Sequence, residues 1–302
     1  MKKELLILII AALIFITACT GSKNLVGSGP DGVQIKFVQP EDIIALNIQE
    51  ETTTVPIEVE LTNYAECNII GTLCVKDTLS DSFGGINDQC REISLDESRV
   101  NNKKIELDKQ TYFFSSQPYS NLFKDESTNI LATAKYSCNI ITGPRGVCTK
   151  SIYNKEDPKC NAVEVISGNA LSSKVAPVTV TKIEKKLLPI NTQDTRLEVA
   201  ITLGKMNKGK VSAETENQES SLKGNPIKIE VDYAGSFMSC QGKDYKEGTL
   251  YWKSNENEKI INCDIFLNSG DYQENPINIR LNYMYEITET KPITIKDKKE
   301  GS

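Results

Sequence analysis

From residue 197 the chain reads Leu-Glu-Val-Ala-Ile-Thr-Leu, and this alternation is the feature that most narrows what it can fold into. A period of two puts successive side chains on opposite faces of an extended backbone, so Leu197, Val199, Ile201 and Leu203 form the buried row of a half-buried strand. The same period recurs at Val33, Ile35 and Phe37, at Val55, Ile57, Val59 and Leu61, and at Ile227, Ile229, Val231 and Tyr233. It returns at Ile261, Cys263, Ile265 and Leu267, and again at Ile279, Leu281, Tyr283, Tyr285 and Ile287. This last run is expected to turn at Glu289-Thr290 into Ile293-Thr294-Ile295. Pro56 cannot donate to a ladder, so its side of the strand start is expected at an edge or a bulge.

Weaker signals fill the gaps. Residues 68–75 form an apolar run, and Ile105 and Leu107 mark a marginal strand. Leu122 and Phe123 have spacing compatible with one or two helical turns within 119–128. Residues 130–138 predict a strand entering the turn Thr142-Gly143-Pro144-Arg145-Gly146, with 147–153 as the returning strand. Residues 176–183 read as a last strand running into a second cycle. No segment past residue 19 sustains a 3.6 period, so the expectation is all-β, with two β-sandwiches in tandem over 33–180 and 181–296 and a charged tail at 297–302.

The N-terminus says where such a chain lives. Lys2-Lys3 precede a run from Leu5 to Ala18 of 14 residues, about 21 Å as a helix. That is short of the ~20 residues a membrane span needs. A positive start, a short apolar core and small residues before a cut make a secretory signal. Ile16-Thr17-Ala18-Cys19 resembles a lipobox, which implies cleavage before Cys19 and lipid on its sulfur. An ordinary signal with a chance cysteine and an uncleaved signal anchor are the alternatives. A pilin-like leader fits poorly, because Glu4 is not small and the run is short. Glycines, serines and Pro30 in 20–32 describe a flexible tether.

Export bears on the cysteines. Beyond Cys19 eight remain: Cys67, Cys74, Cys90, Cys138, Cys148, Cys160, Cys240 and Cys263. An even number in an exported chain implies disulfides. Zinc is disfavoured, since the chain has no histidine and no two cysteines lie closer than seven positions. Cys240–Cys263 is the pair available in the second block, while six cysteines in the first allow 15 pairings. There, Cys74–Cys90 and Cys148–Cys160 would each close a polar excursion.

The two-block layout, the joint at 176–183, and the closing segments Asn278-Ile279-Arg280-Leu281-Asn282-Tyr283-Met284-Tyr285 and Lys291-Pro292-Ile293-Thr294-Ile295 resemble archaeal surface proteins with immunoglobulin-like domains, of the S-layer-associated and adhesion type. The resemblance covers most of 33–296 and rests on pattern. It implies immunoglobulin-like sandwiches and an envelope location, and it carries no catalytic residues. If residues 55–61 and 130–138 are the second and sixth strands of such a sandwich, Cys67 and Cys138 meet at one pole and form a variant of the inter-sheet staple.

Chemistry is sparse. Without histidine, Ser-His-Asp and Cys-His catalysis are impossible, and no nucleophile elbow, phosphate loop or metalloprotease motif occurs. A glycosidase-type carboxylate pair has too many candidates to choose from. Asp42 and residues 77–81, with Asp77 and Asp81, offer oxygens to calcium, but no EF-hand loop is present and solvated loop acids are the plainer reading. Trp252 beside Tyr251 is either core or a platform for sugar or protein. Tyr283 and Tyr285 share the apolar face, so one should bond its hydroxyl to a loop. Removing Lys2, Lys3 and Glu4 from the 35 basic and 41 acidic residues leaves 33 and 40, a net charge of −7 that argues against nucleic acid. The reading is therefore a non-enzymatic, cofactor-free envelope protein held at the membrane by its N-terminal lipid or anchor, with other envelope proteins as partners. A ligand-capturing lipoprotein and an envelope hydrolase are the alternatives.

Overall fold

The computed structural model describes residues 31–46, 54–80, 84–101, 104–119, 125–151, 160–213, 224–268 and 272–297. The expected signal, Cys19, most of the tether, Asp81, Leu122, Phe123 and residues 298–302 lie outside them. The chain opens with β1 (Val33–Gln39), β2 (Ile43–Leu46), β3 (Pro56–Asn63), β4 (Ile69–Asp77) and β5 (Gln89–Leu95). A small hairpin, β6 (Arg99–Asn101) and β7 (Lys104–Glu106), leads into β8 (Asp108–Ser115), β9 (Glu126–Thr142), β10 (Val147–Thr149) and β11 (Val163–Ser167). After a single 3-10 turn at Gly168–Leu171 come β12 (Val178–Pro189), β13 (Asp194–Lys205), β14 (Lys210–Ser212) and β15 (Asn225–Tyr233). The last part holds β16 (Ser236–Phe237), β17 (Ser239–Gln241), β18 (Tyr245–Lys246), β19 (Thr249–Trp252), β20 (Glu258–Asn268), β21 (Gln273–Asn275) and β22 (Ile277–Asp297). The fold is all-β and of sandwich type, and among the described residues no helix is long and apolar enough to cross a membrane.

The backbone of the molecule is a ten-stranded sheet running β18-β19-β15-β22-β9-β4-β5, with β14 and β2 added to β22 and β16 to β15. Its pairings are antiparallel apart from β2 with β22. A three-stranded sheet, β1-β3-β8, and a five-stranded sheet, β11-β12-β13-β20-β17, complete the layers. The spine is the β9–β22 ladder, continuous from Thr142↔Ile279 to Glu126↔Ile295. Along β9 every even residue from Thr128 to Thr142 is buried and the odd ones are not, so one face of the spine is covered over its whole length. The facing rows on β22, β15 and β4 supply Ile279, Leu281, Tyr283 and Tyr285, then Ile227, Ile229 and Val231, then Leu73 and Val75.

Two hydroxyl contacts show which sheet covers which end. The Tyr136 hydroxyl on β9 accepts from the Val33 N–H of β1 at 3.3 Å. The Tyr283 hydroxyl on β22 accepts from the Val178 N–H of β12 at 2.9 Å and donates to its carbonyl at 3.0 Å. The three-stranded and five-stranded sheets thus lie side by side on the same face, each making a sandwich with its part of one long sheet. The alternation read at 55–61 and 197–203 is therefore the inward row of each covering sheet. Pro56 pairs with Ser115 of β8, while β1 reaches only to Glu58, so the proline sits where one side of β3 is open.

Three expectations change. β22 does not turn at Glu289-Thr290; both residues stay in the ladder opposite Ala132 and Leu131. Between β14 and β2 this strand has β9 on one side and, among the described residues, no strand on the other. Its inward row can carry Glu289 and Lys291 there, and the apolar pattern lapses without the backbone breaking. Residues 147–149 do not return along β9 but pair with β21. From Glu126 the 119–128 segment is strand, while Leu122 and Phe123, which carry the helix-compatible spacing, lie outside the described residues. Finally, the strands that the pattern divides at residue 180 meet in a single sheet, since β9 and β4 belong to the first block and β22 and β15 to the second.

Candidate functional site

At one flank the two layers approach without merging. β5 is the last strand of the large sheet and β8 the last of the three-stranded sheet, and they share no ladder. Side chains join them instead. Gln89 Nε2 donates to the Ser115 carbonyl at 2.8 Å, and Gln110 Nε2 to the Ser94 carbonyl at 2.7 Å. The Asp96 N–H donates to Asp108 Oδ2 at 2.9 Å, and the Arg91 guanidinium lies 5.9 Å over the Phe114 ring. The sequence of β8 explains the arrangement. Its inward row runs Phe114, Tyr112, Gln110, Asp108, opposite Ile57, Val59, Leu61 and Asn63 of β3. The row grows polar toward the end where the sandwich opens, so the flank closes by hydrogen bonds at Gln110 and Asp108.

Outside this seam is a groove of about 710 Å³. β4 gives it Ile70 and Thr72, β5 gives Glu92 and Ser94, and the seam gives Asp108 and Tyr112. Ile70 is 64% exposed there. The Tyr112 hydroxyl donates to Gln110 Oε1 at 2.8 Å, which sets the amide so that its nitrogen faces Ser94. Partial burial, with the Asp108 charge, pushes the Tyr112 hydroxyl upward against a Ser94 backbone hydrogen bond, so it stays protonated at neutral pH. Among the described residues no lysine or arginine pairs with Glu92, Asp96 or Asp108. Carboxylates, an amide and a phenol around an apolar floor suit recognition of cations and hydrogen-bond donors.

The residues singled out from sequence fall elsewhere. The eight cysteines form the four expected bonds. Cys67–Cys138 joins the turn after β3 to β9, with its Cα atoms 5.6 Å apart. Cys74–Cys90 and Cys240–Cys263 cross directly opposed positions, the first fixing edge strand β5 to β4 and the second fixing edge strand β17 to β20. Cys148–Cys160 fixes β10 to the segment ahead of β11, where the fully buried Lys185 side chain contacts Glu164 at 2.8 Å and both the Cys148 carbonyl and Sγ at 3.1 Å.

Trp252 is not a platform. It is 1% exposed, and its indole N–H donates to the Glu256 carbonyl at 2.9 Å, because β19 turns it into the core while Tyr251 points the other way. Asp77 is not poised for calcium either. Its carboxylate is fully buried and accepts from the hydroxyls of Tyr119 and Thr128 and from the Leu79 N–H, while Asp42 pairs with Lys291. Tyr285 is the tyrosine that bonds a loop, donating to the Asn207 carbonyl at 3.0 Å.

The acidic and polar groove residues escaped sequence reasoning because residues 89–95 and 108–115 carry no clear apolar alternation. The available signal was Asp108 and Gln110 standing in step with Tyr112 and Phe114. No family model matches this chain, and no curated protein matches it.

Proposed function

We propose that this chain is an exported envelope protein, moored to the outer face of the membrane through lipid on Cys19, that works by binding other envelope proteins and not by catalysis. The observation that carries the reading is the complete pairing of the eight remaining cysteines inside an all-β fold. Such pairing belongs to an oxidising compartment. The N-terminal sequence supplies the route there, since Lys2-Lys3, a short apolar run and Ala18-Cys19 combine export with an acceptor for lipid. The absence of histidine from the chain removes the commonest acid-base groups and favours a binding role. The resemblance to archaeal adhesion-type surface proteins agrees with it.

The test is fractionation of cells producing the native chain and Cys19→Ser. The native protein is expected in the membrane fraction, with a lipid-modified Cys19 at its N-terminus and no thiol open to alkylation. The variant is expected to lose the lipid and leave the membrane fraction. Recovery of native protein from the cytosol with free thiols would refute the proposal.

A further inference from the structure

We propose that the groove beside the β5–β8 seam binds a cationic, extended segment of a partner protein. This deepens the interaction reading given above and depends on it. Three features of the groove argue for that occupant.

The first is charge. Glu92, Asp96 and Asp108 line the groove, and none of its lining residues is basic. Several carboxylates elsewhere are matched: Glu60 by Lys109, Glu184 by Lys182, Asp264 by Arg196, Asp232 by Arg280 and Asp244 by Lys259. Three acids thus converge at the groove, and among the described residues no ion pair joins them to a lysine or arginine.

The second is shape. From Glu92 to Asp96 the wall runs four residues, about 14 Å, which accommodates about four residues of extended peptide. Ile70 and the Tyr112 ring lie along that length. A lysine or arginine can lay its aliphatic stem on Ile70 and Tyr112 and bring its head to Glu92 or Asp96.

The third is what the seam leaves unavailable. The Ser94 carbonyl is taken by Gln110, and the Asp96 N–H by Asp108. An incoming segment therefore meets those backbone groups already satisfied and is read through side chains, not by adding a strand to the sheet. Side-chain reading in an open, acidic groove selects basic residues, and the same charge repels an anionic membrane surface.

The experiment uses the full chain in a non-ionic detergent and a dye-labelled peptide in which lysines alternate with alanine and tyrosine. Fluorescence anisotropy is expected to show saturable binding that weakens as salt rises from about 20 mM to about 200 mM. Glu92→Gln with Asp96→Asn is expected to weaken binding about tenfold without changing the melting temperature. Glu184→Gln with Glu198→Gln makes the same charge change on the outer face of the five-stranded sheet and is expected to leave binding unchanged. Asp108 and Gln110 are kept, because they hold the seam.

Three results would overturn the proposal: no saturable binding, equal loss in both double variants, or a small polyamine binding as tightly as the peptide. The last would make the groove a small-cation site. The fractionation of Cys19→Ser reads mooring independently, so a protein that is membrane-bound yet ignores the peptide defeats this assignment and leaves that one standing.

Discussion

Tyr283→Phe removes one oxygen from the interface between the large sheet and the five-stranded sheet. In the native molecule that hydroxyl accepts from the Val178 N–H at 2.9 Å and donates to the Val178 carbonyl at 3.0 Å. Val178 is fully buried at the start of β12, and Tyr283 is 3% exposed, so no water replaces the lost partner. Two hydrogen bonds are worth about 1 kcal/mol each, and a buried N–H left without an acceptor adds about 1 kcal/mol or more. The expected loss is about 3 kcal/mol, a large share of the 5–15 kcal/mol that typically holds a folded protein.

Tyr285→Phe is the internal comparison. It loses one bond at 3.0 Å, to the carbonyl of Asn207, a residue only half-buried, and is expected to cost about 1 kcal/mol. The assay is urea unfolding of the oxidised protein, followed by emission of the single, buried Trp252. In thermal scans the two losses correspond to roughly 6–12 °C and roughly 2–4 °C. If Tyr283→Phe unfolds within about 0.5 kcal/mol of the native protein, or Tyr285→Phe costs as much as Tyr283→Phe, the hydroxyl does not pin the two layers.

Two further outcomes follow from exposure and charge. Cys90 is exposed and Cys74 half-buried, whereas Cys67 and Cys138 are at most 1% exposed. Graded treatment with a dithiol reductant, with alkylated cysteines mapped by mass spectrometry, should therefore label Cys74 and Cys90 before Cys67 and Cys138; the reverse order contradicts the burial argument. The second outcome concerns pH. Asp244 is held below its ordinary value by its hydrogen bond from Lys259 at 2.6 Å, and Lys259 is held above its own because Asp244 and Glu256 outweigh the burial that would lower it. A depressed carboxylate contributes stability above its unfolded value near 3.8 and loses it as pH falls through the lower folded value. Melting temperature should accordingly fall below about pH 4, and Lys259→Met should flatten that part of the profile; an unchanged acid limb in the variant would exclude the pair as its source.

Much of the fold was legible because each central strand announces itself alone. Residues 197–203, 227–233 and 279–285 bury one face completely, and burial on one face is what a period of two encodes. The disulfides with short spans were legible for a related reason, since 16, 12 and 23 residues leave few ways to close a loop. Cys67–Cys138 spans 71 residues and needed a fold to be assumed before it could be chosen. Two of the strands that were missed, β5 and β8, are edges, and the misread stretch of β22 is open on one side. In β8 the inward positions of Asp108 and Gln110 serve a seam, and in β22 Glu289 and Lys291 stand where the strand loses one neighbour. An edge residue takes its character from whatever lies beside it, and that neighbour is remote in sequence.

The amino-acid sequence by itself determined the all-β class, about half of the 22 strands with the long central ones among them, the short disulfides and the signal-like N-terminus, because each depends on residues close together in the chain. Only the tertiary structure decided that β9 and β22 join both halves in one sheet, that Trp252 is sealed in the core, and that Glu92, Asp96 and Asp108 gather around one groove. Those outcomes depend on which strands pair and which layers face each other, and pairing across more than a hundred residues is settled by the packing of whole surfaces, which no local period records.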